Sequence, residues 1–199
     1  MTNFAMMGWA VVSVTFLLTG SLHAQPPERP VLAKQLVPAR ASGVNLRVSS
    51  GAFGSGSSLD DRYTQNGQNS SPPIRWTKGP AGTISYAIIM EDAGANGSEP
   101  VTHWIVYDLA STATRIPGNQ PAQAQLSFGA LQGLNVRNAV GFIGPKPPVG
   151  ETHPYHFQVF ALNIRLKLDP TQADRDDVLN AMKGHVLASG DLVATYTGK

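Results

Sequence analysis

Three side chains stand where a rigid framework would present chemistry. His103 opens an apolar stretch after a Gly-rich loop, His153 ends a Gly/Pro loop directly before another apolar stretch, and Asp92 stands at the exit of a third. Junctions between loops and strands are where scaffolds hold binding groups. A carboxylate near an imidazole fixes its tautomer and favours its protonated form. Taken alone, Asp92 also fits a plain turn cap, and His156 and His185 read as satisfied or partly exposed structural histidines. The segment Gly141-Phe142-Ile143-Gly144-Pro145-Lys146-Pro147-Pro148-Val149-Gly150 is the other unusual feature. Its prolines donate no backbone hydrogen bonds, while glycines such as Gly144 let the chain approach a ligand closely. Gly144 and Pro145 are therefore candidates for a ligand wall, with a stiff surface loop as the alternative. No G-x-S-x-G, H-E-x-x-H, Walker-type loop or strand-linked G-x-G-x-x-G occurs, so no motif assigns catalysis, a metal or a cofactor.

The elements that must position these groups are mostly strands. Val44, Leu46 and Val48 alternate with polar residues, a Gly/Ser loop follows at 49–58, and Asn66-Gly67 marks a turn. Nearly unbroken apolar runs at 83–90 and 103–109 predict buried central strands. At 155–162 both alternating faces are largely apolar, which predicts a strand covered on both sides. Thr171-Gln172-Ala173-Asp174 reads as a capping box ahead of a helix over 172–183, with Val178, Leu179 and Met182 as its apolar stripe and Gly184 closing it. A last short strand is expected at 192–196.

With 199 residues, 20 glycines and 15 prolines, the chain has the size of one turn-rich domain. Net charge is +2 without a Lys/Arg block, which argues against nucleic acid as a partner. The chain contains no cysteine, so disulfides, thiol nucleophiles and Cys-ligated zinc are excluded. The apolar run at 4–18, followed by Leu22-His23-Ala24, reads as a signal peptide over 1–24, and so as export to the periplasm or beyond. A membrane anchor formed by 4–18 is the competing reading, although the run falls short of the roughly 20 residues a span requires. Residues 25–43, rich in Pro, Ala and Gln, are expected to be a flexible linker before a domain at 44–199.

Several ordered motifs together resemble a known family. These are Arg62-Tyr63-Thr64, Gly67-Gln68-Asn69-Ser70-Ser71-Pro72-Pro73-Ile74-Arg75-Trp76, Glu91-Asp92, Thr102-His103-Trp104, Gly144-Pro145-Lys146-Pro147-Pro148 and His153-Pro154-Tyr155. With Met182-Lys183-Gly184-His185-Val186-Leu187-Ala188 they resemble the bacterial, Raf-kinase-inhibitor-like branch of the phosphatidylethanolamine-binding proteins. The resemblance implies a mainly β fold of two packed antiparallel sheets, a β-sandwich with a short C-terminal helix and long loops. It also implies a small anion pocket lined by Asp92, His103, His153 and Tyr155, and often a homodimer. Two departures stand out. Gly94 replaces the second carboxylate of the family's D-P-D-A-P motif, whose prolines are also lost, and Pro154 replaces the Arg of its H-R-Y motif.

The expected function is an exported binding protein, not an enzyme, whose pocket takes an anionic, phosphate-like group such as a phospholipid headgroup or a phosphorylated small molecule. In this reading His103 and His153 donate to the anion, Tyr155 adds a hydroxyl, Asp92 orients one imidazole, and affinity rises as the histidines protonate. The alternatives are an interaction or inhibitor module acting on a protein partner through surface loops, and a metal-assisted hydrolase using Asp92, His103 and His153.

Overall fold

The computed structural model describes residue 1 and residues 30–40, 44–97 and 99–199. The expected signal peptide over 1–24 lies almost wholly outside the described residues. In chain order the described elements are α1 (Ala33–Leu36), β1 (Val48–Ser49), a 3-10 turn (Asp61–Tyr63), β2 (Ile74–Trp76), β3 (Ser85–Asp92), β4 (Val101–Ala110), β5 (Arg115–Ile116), β6 (Leu131–Gln132), β7 (Thr152–Leu162), α2 (Arg175–Met182) and β8 (Val186–Thr197). They form a three-stranded sheet in the order β1-β2-β5 and a five-stranded sheet in the order β6-β4-β3-β7-β8. The pairings within both sheets are antiparallel.

The central strands are apolar on both faces because both faces of the large sheet are covered. Tyr86, Ile88 and Met90 of β3, with Trp104, Val106, Phe157 and Val159, pack toward Ile74, Trp76 and Ile116 of the small sheet. On the opposite face Ala87, Ile89, Ile105, Tyr107 and Phe160 pack against Val178, Leu179 and Met182 of α2. The predicted apolar stripe of the helix is therefore its contact with the sheet. Its start lies three residues later than the sequence suggests. Asp174 is the N-cap, accepting from the Asp177 N–H at 3.0 Å, while Thr171 instead closes a turn onto Asp169 Oδ1. Of the strand expected at 44–48, only Val48 is paired in β1. There the alternation reports burial, since Leu46 sits in the core and its N–H bonds to the Ser189 carbonyl at 3.0 Å.

The expected linker over 25–43 is corrected where it is described, because residues 30–40 pack on the α2 face of the sheet. Leu32, Ala33 and Val37 are buried, each large apolar side chain contributing about 1.5–3 kcal/mol. Polar contacts fix the register. The Ala33 N–H donates to Glu91 Oε2 at 2.8 Å, the Lys34 N–H to Gln158 Oε1 at 2.9 Å, and Lys34 Nζ reaches Asp191 at 2.6 Å. Glu91, fully buried, also accepts from Gln158 Nε2 at 2.6 Å and from Arg175 Nε at 2.7 Å.

Candidate functional site

Three strand ends meet the loops at one end of the sandwich. Asp92 is the last residue of β3 and lies opposite Tyr155 of β7. His153 precedes Tyr155 by two positions, so strand alternation places both on one face. His103 reaches the same place through an irregularity. Along β3 and β4, Met90 pairs with Trp104 but Glu91 pairs with Thr102, which leaves one extra residue on β4 at His103. Trp104 faces the core between the sheets, and plain alternation would turn His103 to the other side. The bulge re-aims it toward Asp92 and His153, as bulges beside binding sites do. Its ring stands nearly perpendicular to that of Tyr155, with centroids 5.3 Å apart.

These groups line a cavity of about 320 Å³, with Asp92, His103 and His153 in its wall and Gln65, Arg137 and Lys146 around them. The two histidines are held in different states. His103 Nδ1–H donates to the Ile143 carbonyl at 2.8 Å, and its backbone carbonyl accepts from the Ile143 N–H at 3.0 Å. Burial, with the charge of His153 adding to it, lowers the His103 pKa below the ordinary 6.5, outweighing the Ile143 carbonyl and Asp92. His153 shares Nδ1–H with Asp92 Oδ2 at 2.8 Å and reaches Glu151 Oε2 through Nε2 at 3.2 Å. Burial opposes its charge too, but the two carboxylates outweigh burial and raise its pKa above 6.5. The other Asp92 oxygen accepts the Gly94 N–H at 2.7 Å.

The remaining sequence candidates are placed differently from expectation. Tyr155 lies beneath the cavity rather than in its wall, fully buried, and its hydroxyl has no hydrogen-bond partner among the described residues. Burial and the nearby Asp92 charge push its pKa far up, so it stays a neutral phenol. Gly144 and Pro145 hold the loop from behind the wall. A Cβ on Gly144 would sit 2.5 Å from the Tyr63 carbonyl oxygen, while the Gly144 N–H donates to Asn69 Oδ1 at 2.6 Å and the Pro145 carbonyl accepts the Gln65 N–H at 3.0 Å. The glycine permits close approach to the chain's own backbone. Ile143, Lys146, Pro147 and Pro148 of that segment are the residues lining the cavity.

Sequence reasoning missed Lys146, Arg137, Gln65 and Glu151. Lys146 was within reach as the cation inside the singled-out Gly/Pro segment, and Glu151 as the residue two positions before His153. Arg137 and Gln65, joined by a 2.6 Å hydrogen bond, come from distant loops and carry no local signal.

A family profile described as phosphatidylethanolamine-binding protein matches residues 49–197. The chain belongs to the phosphatidylethanolamine-binding protein family. A UPF0098 protein of Methanothermobacter thermautotrophicus is 36% identical over 151 residues, covering 76% of this chain and 98% of that protein. Among solved structures, E. coli YbcL, described as a member of the mammalian PEBP family, superposes with a TM-score of 0.73 at 27% identity, covering 78% of this chain and 100% of YbcL. A phosphatidylethanolamine-binding protein homolog from Chlamydia trachomatis, CT736, gives 0.69 at 29% identity, covering 78% of this chain and 99% of the homolog.

The two departures from the phosphatidylethanolamine-binding protein motifs have structural explanations. Residue 154 alternates to the sheet face opposite His153 and Tyr155, so Pro154 removes no charge from the cavity. Its carbonyl accepts the Ala93 N–H at 3.2 Å, so its missing N–H faces the side on which β3 has just ended at Asp92. At Gly94 an added Cβ would meet the His153 ring at 2.8 Å and Pro154 Cδ at 2.9 Å. Restoring the family carboxylate with Gly94→Asp is therefore not a pure charge change. We expect Gly94→Ala and Gly94→Asp to displace His153 alike, lowering its pKa in an NMR titration. Gly94→Ala leaving that titration unchanged would contradict the packing argument.

Proposed function

We propose that this protein binds a small anionic, phosphate-like group in the cavity at the end of the large sheet, as an exported binding protein. The observation that carries the reading is the buried Asp92–His153 ion pair in the wall of a cavity that also contains Arg137 and Lys146. Asp92 and His153 nearly neutralise each other, so the two loop cations supply the net attraction. At about 320 Å³ the cavity has room for a phosphate group together with part of what it is attached to. Export rests on the apolar run at 4–18. The names of the family and of the relatives above state no enzymatic activity.

The geometry gives the metal-hydrolase alternative no support. His153 has carboxylates at both ring nitrogens and His103 has committed Nδ1 to a carbonyl, so the set does not converge lone pairs on one ion. The expected pH response also changes. His153 keeps its second proton to higher pH than an ordinary imidazole, and its ring nitrogens face carboxylates, which leaves His103 as the imidazole available to a ligand.

Titrating inorganic phosphate into the protein should shift the ring resonances of His103 and His153 and leave those of His156 and His185 in place. The variant carrying both Arg137→Ala and Lys146→Ala should bind about 3- to 30-fold more weakly, since each rim charge contributes at most about 1 kcal/mol. His156→Ala and His185→Ala should bind as the wild type does. Phosphate binding that ignores Arg137 and Lys146 would refute the reading.

A further inference from the structure

His103 presents an unusual face to an anion. Its Nδ1–H is spent on the Ile143 carbonyl at 2.8 Å, and that carbonyl can only accept, so the neutral ring carries its lone pair on Nε2. His103 lines the cavity, and no hydrogen bond engages Nε2 among the described residues. The groups around the ring do not favour a second proton. From β3 the Asp92 carboxylate is already matched by His153 and by the Gly94 N–H. From β7 come His153, held between Asp92 and Glu151, and the neutral Tyr155 ring. Arg137 and Lys146 add positive charge from the loops. An anion entering the cavity thus meets two cations and one acceptor lone pair.

We propose that the cavity selects an oxyanion that brings its own proton, a hydrogen phosphate or the monoanion of a phosphate monoester, over sulfate, sulfate esters and phosphodiesters. The ligand's P–O–H donates to His103 Nε2 while its charged oxygens face Arg137 and Lys146. A fully ionised sulfate or a diester offers Nε2 only lone pairs, and binds only once His103 is protonated, against its burial. This rests on the anion-binding reading above and sharpens it, because the headgroup phosphate of a phosphodiester lipid lacks the required O–H.

The test is calorimetric titration of the purified chain with pairs matched in shape. At pH about 6, methyl phosphate should bind about tenfold or more tightly than methyl sulfate and dimethyl phosphate, and inorganic phosphate should exceed sulfate similarly. At pH about 8, methyl phosphate, whose second pKa lies near 6, has lost its proton and should lose its advantage, whereas inorganic phosphate retains one proton and should keep its own. In His103→Ala the ratios should collapse toward one. Nitrogen NMR of the unaltered protein gives a readout independent of that variant and should show Nδ1 protonated and Nε2 bare. Vesicles of phosphatidylcholine with phosphatidic acid compete with methyl phosphate if the monoester is a lipid, and do not if it is soluble; either result keeps the proposal. Equal affinity for methyl phosphate and methyl sulfate at pH about 6, or a protonated Nε2 in the free protein at pH about 7, overturns it while leaving anion binding intact. If neither phosphate nor sulfate moves the His103 or His153 resonances, both readings fall.

Discussion

Glu91→Ala should cost about 3–5 kcal/mol in chemical denaturation. Its carboxylate is fully buried and accepts three hydrogen bonds, from Arg175 Nε, Gln158 Nε2 and the Ala33 N–H. Truncation leaves the Arg175 guanidinium, whose side chain is only 12% exposed, with just the Val31 carbonyl at 2.9 Å and Asp176 at 3.7 Å, and it strands two further donors. Glu91→Gln keeps the shape but loses the charge, and should cost about 1–3 kcal/mol. The damage should also have a location. Residues 30–40 are tied down by contacts at or beside Glu91, so amide exchange at Ala33 and Lys34 and proteolysis within this stretch should accelerate before the sheet opens. Arg175→Ala and Glu91→Ala combined should cost less than the sum of the single changes, because the second truncation removes the charge the first left unpaired. A loss under about 1 kcal/mol for Glu91→Ala would mean that these bonds contribute little.

Asp92→Asn should make stability and pH part company in a defined direction. The Asp92 and His153 side chains are 7% and 8% exposed, so their interaction is little screened, unlike that of Glu151 at 49%. The folded protein holds the His153 proton above the ordinary 6.5. A histidine whose pKa is raised by folding contributes its stabilisation in full below its unfolded value and loses it as pH climbs through the folded value. Asp92→Asn should therefore destabilise by about 1.5–3 kcal/mol near pH 6 and progressively less toward pH 9. The His153 titration midpoint should fall in the same variant, since the charge that favours the imidazolium is gone. Denaturation curves at several pH values, with the imidazole titration followed by NMR, check both. A destabilisation that grows with pH would show that His153 is neutral in the folded state.

The strands holding the site were legible because they are buried on both faces. An apolar run like Ile88-Ile89-Met90 has no other use in a chain of this size, and its end at Asp92 marks where chemistry can begin. His103, Asp92 and His153 were legible for the same reason. Other features were not. The bulge that turns His103 into the cavity depends on the pairing of β4 with β3, and nothing local to Thr102-His103-Trp104 records it. Gly144 was read as making room for a ligand when it makes room for Tyr63, because a single sequence shows that close approach is needed but not to what. The docking of residues 30–40 was invisible since Glu91, read from sequence, was only a polar residue at a strand end. Arg137 and Gln65 illustrate the general limit: they meet through tertiary folding of loops.

The backbone that crosses β8 has a consequence for self-association. β8 is the outermost strand of the large sheet and, at twelve residues, its longest. An exposed strand of that length is a template on which another chain can continue the sheet, the usual beginning of aggregation. Here the N–H groups of Arg40, Leu46, Gly56 and Leu59 bond to the carbonyls of Val186, Ser189, Val193 and Thr195, and the Thr195 N–H is taken by Ser57. The protein's own loops thus serve as the guard on its most vulnerable margin. Two copies therefore cannot join by extending this sheet across β8 without first stripping that guard away.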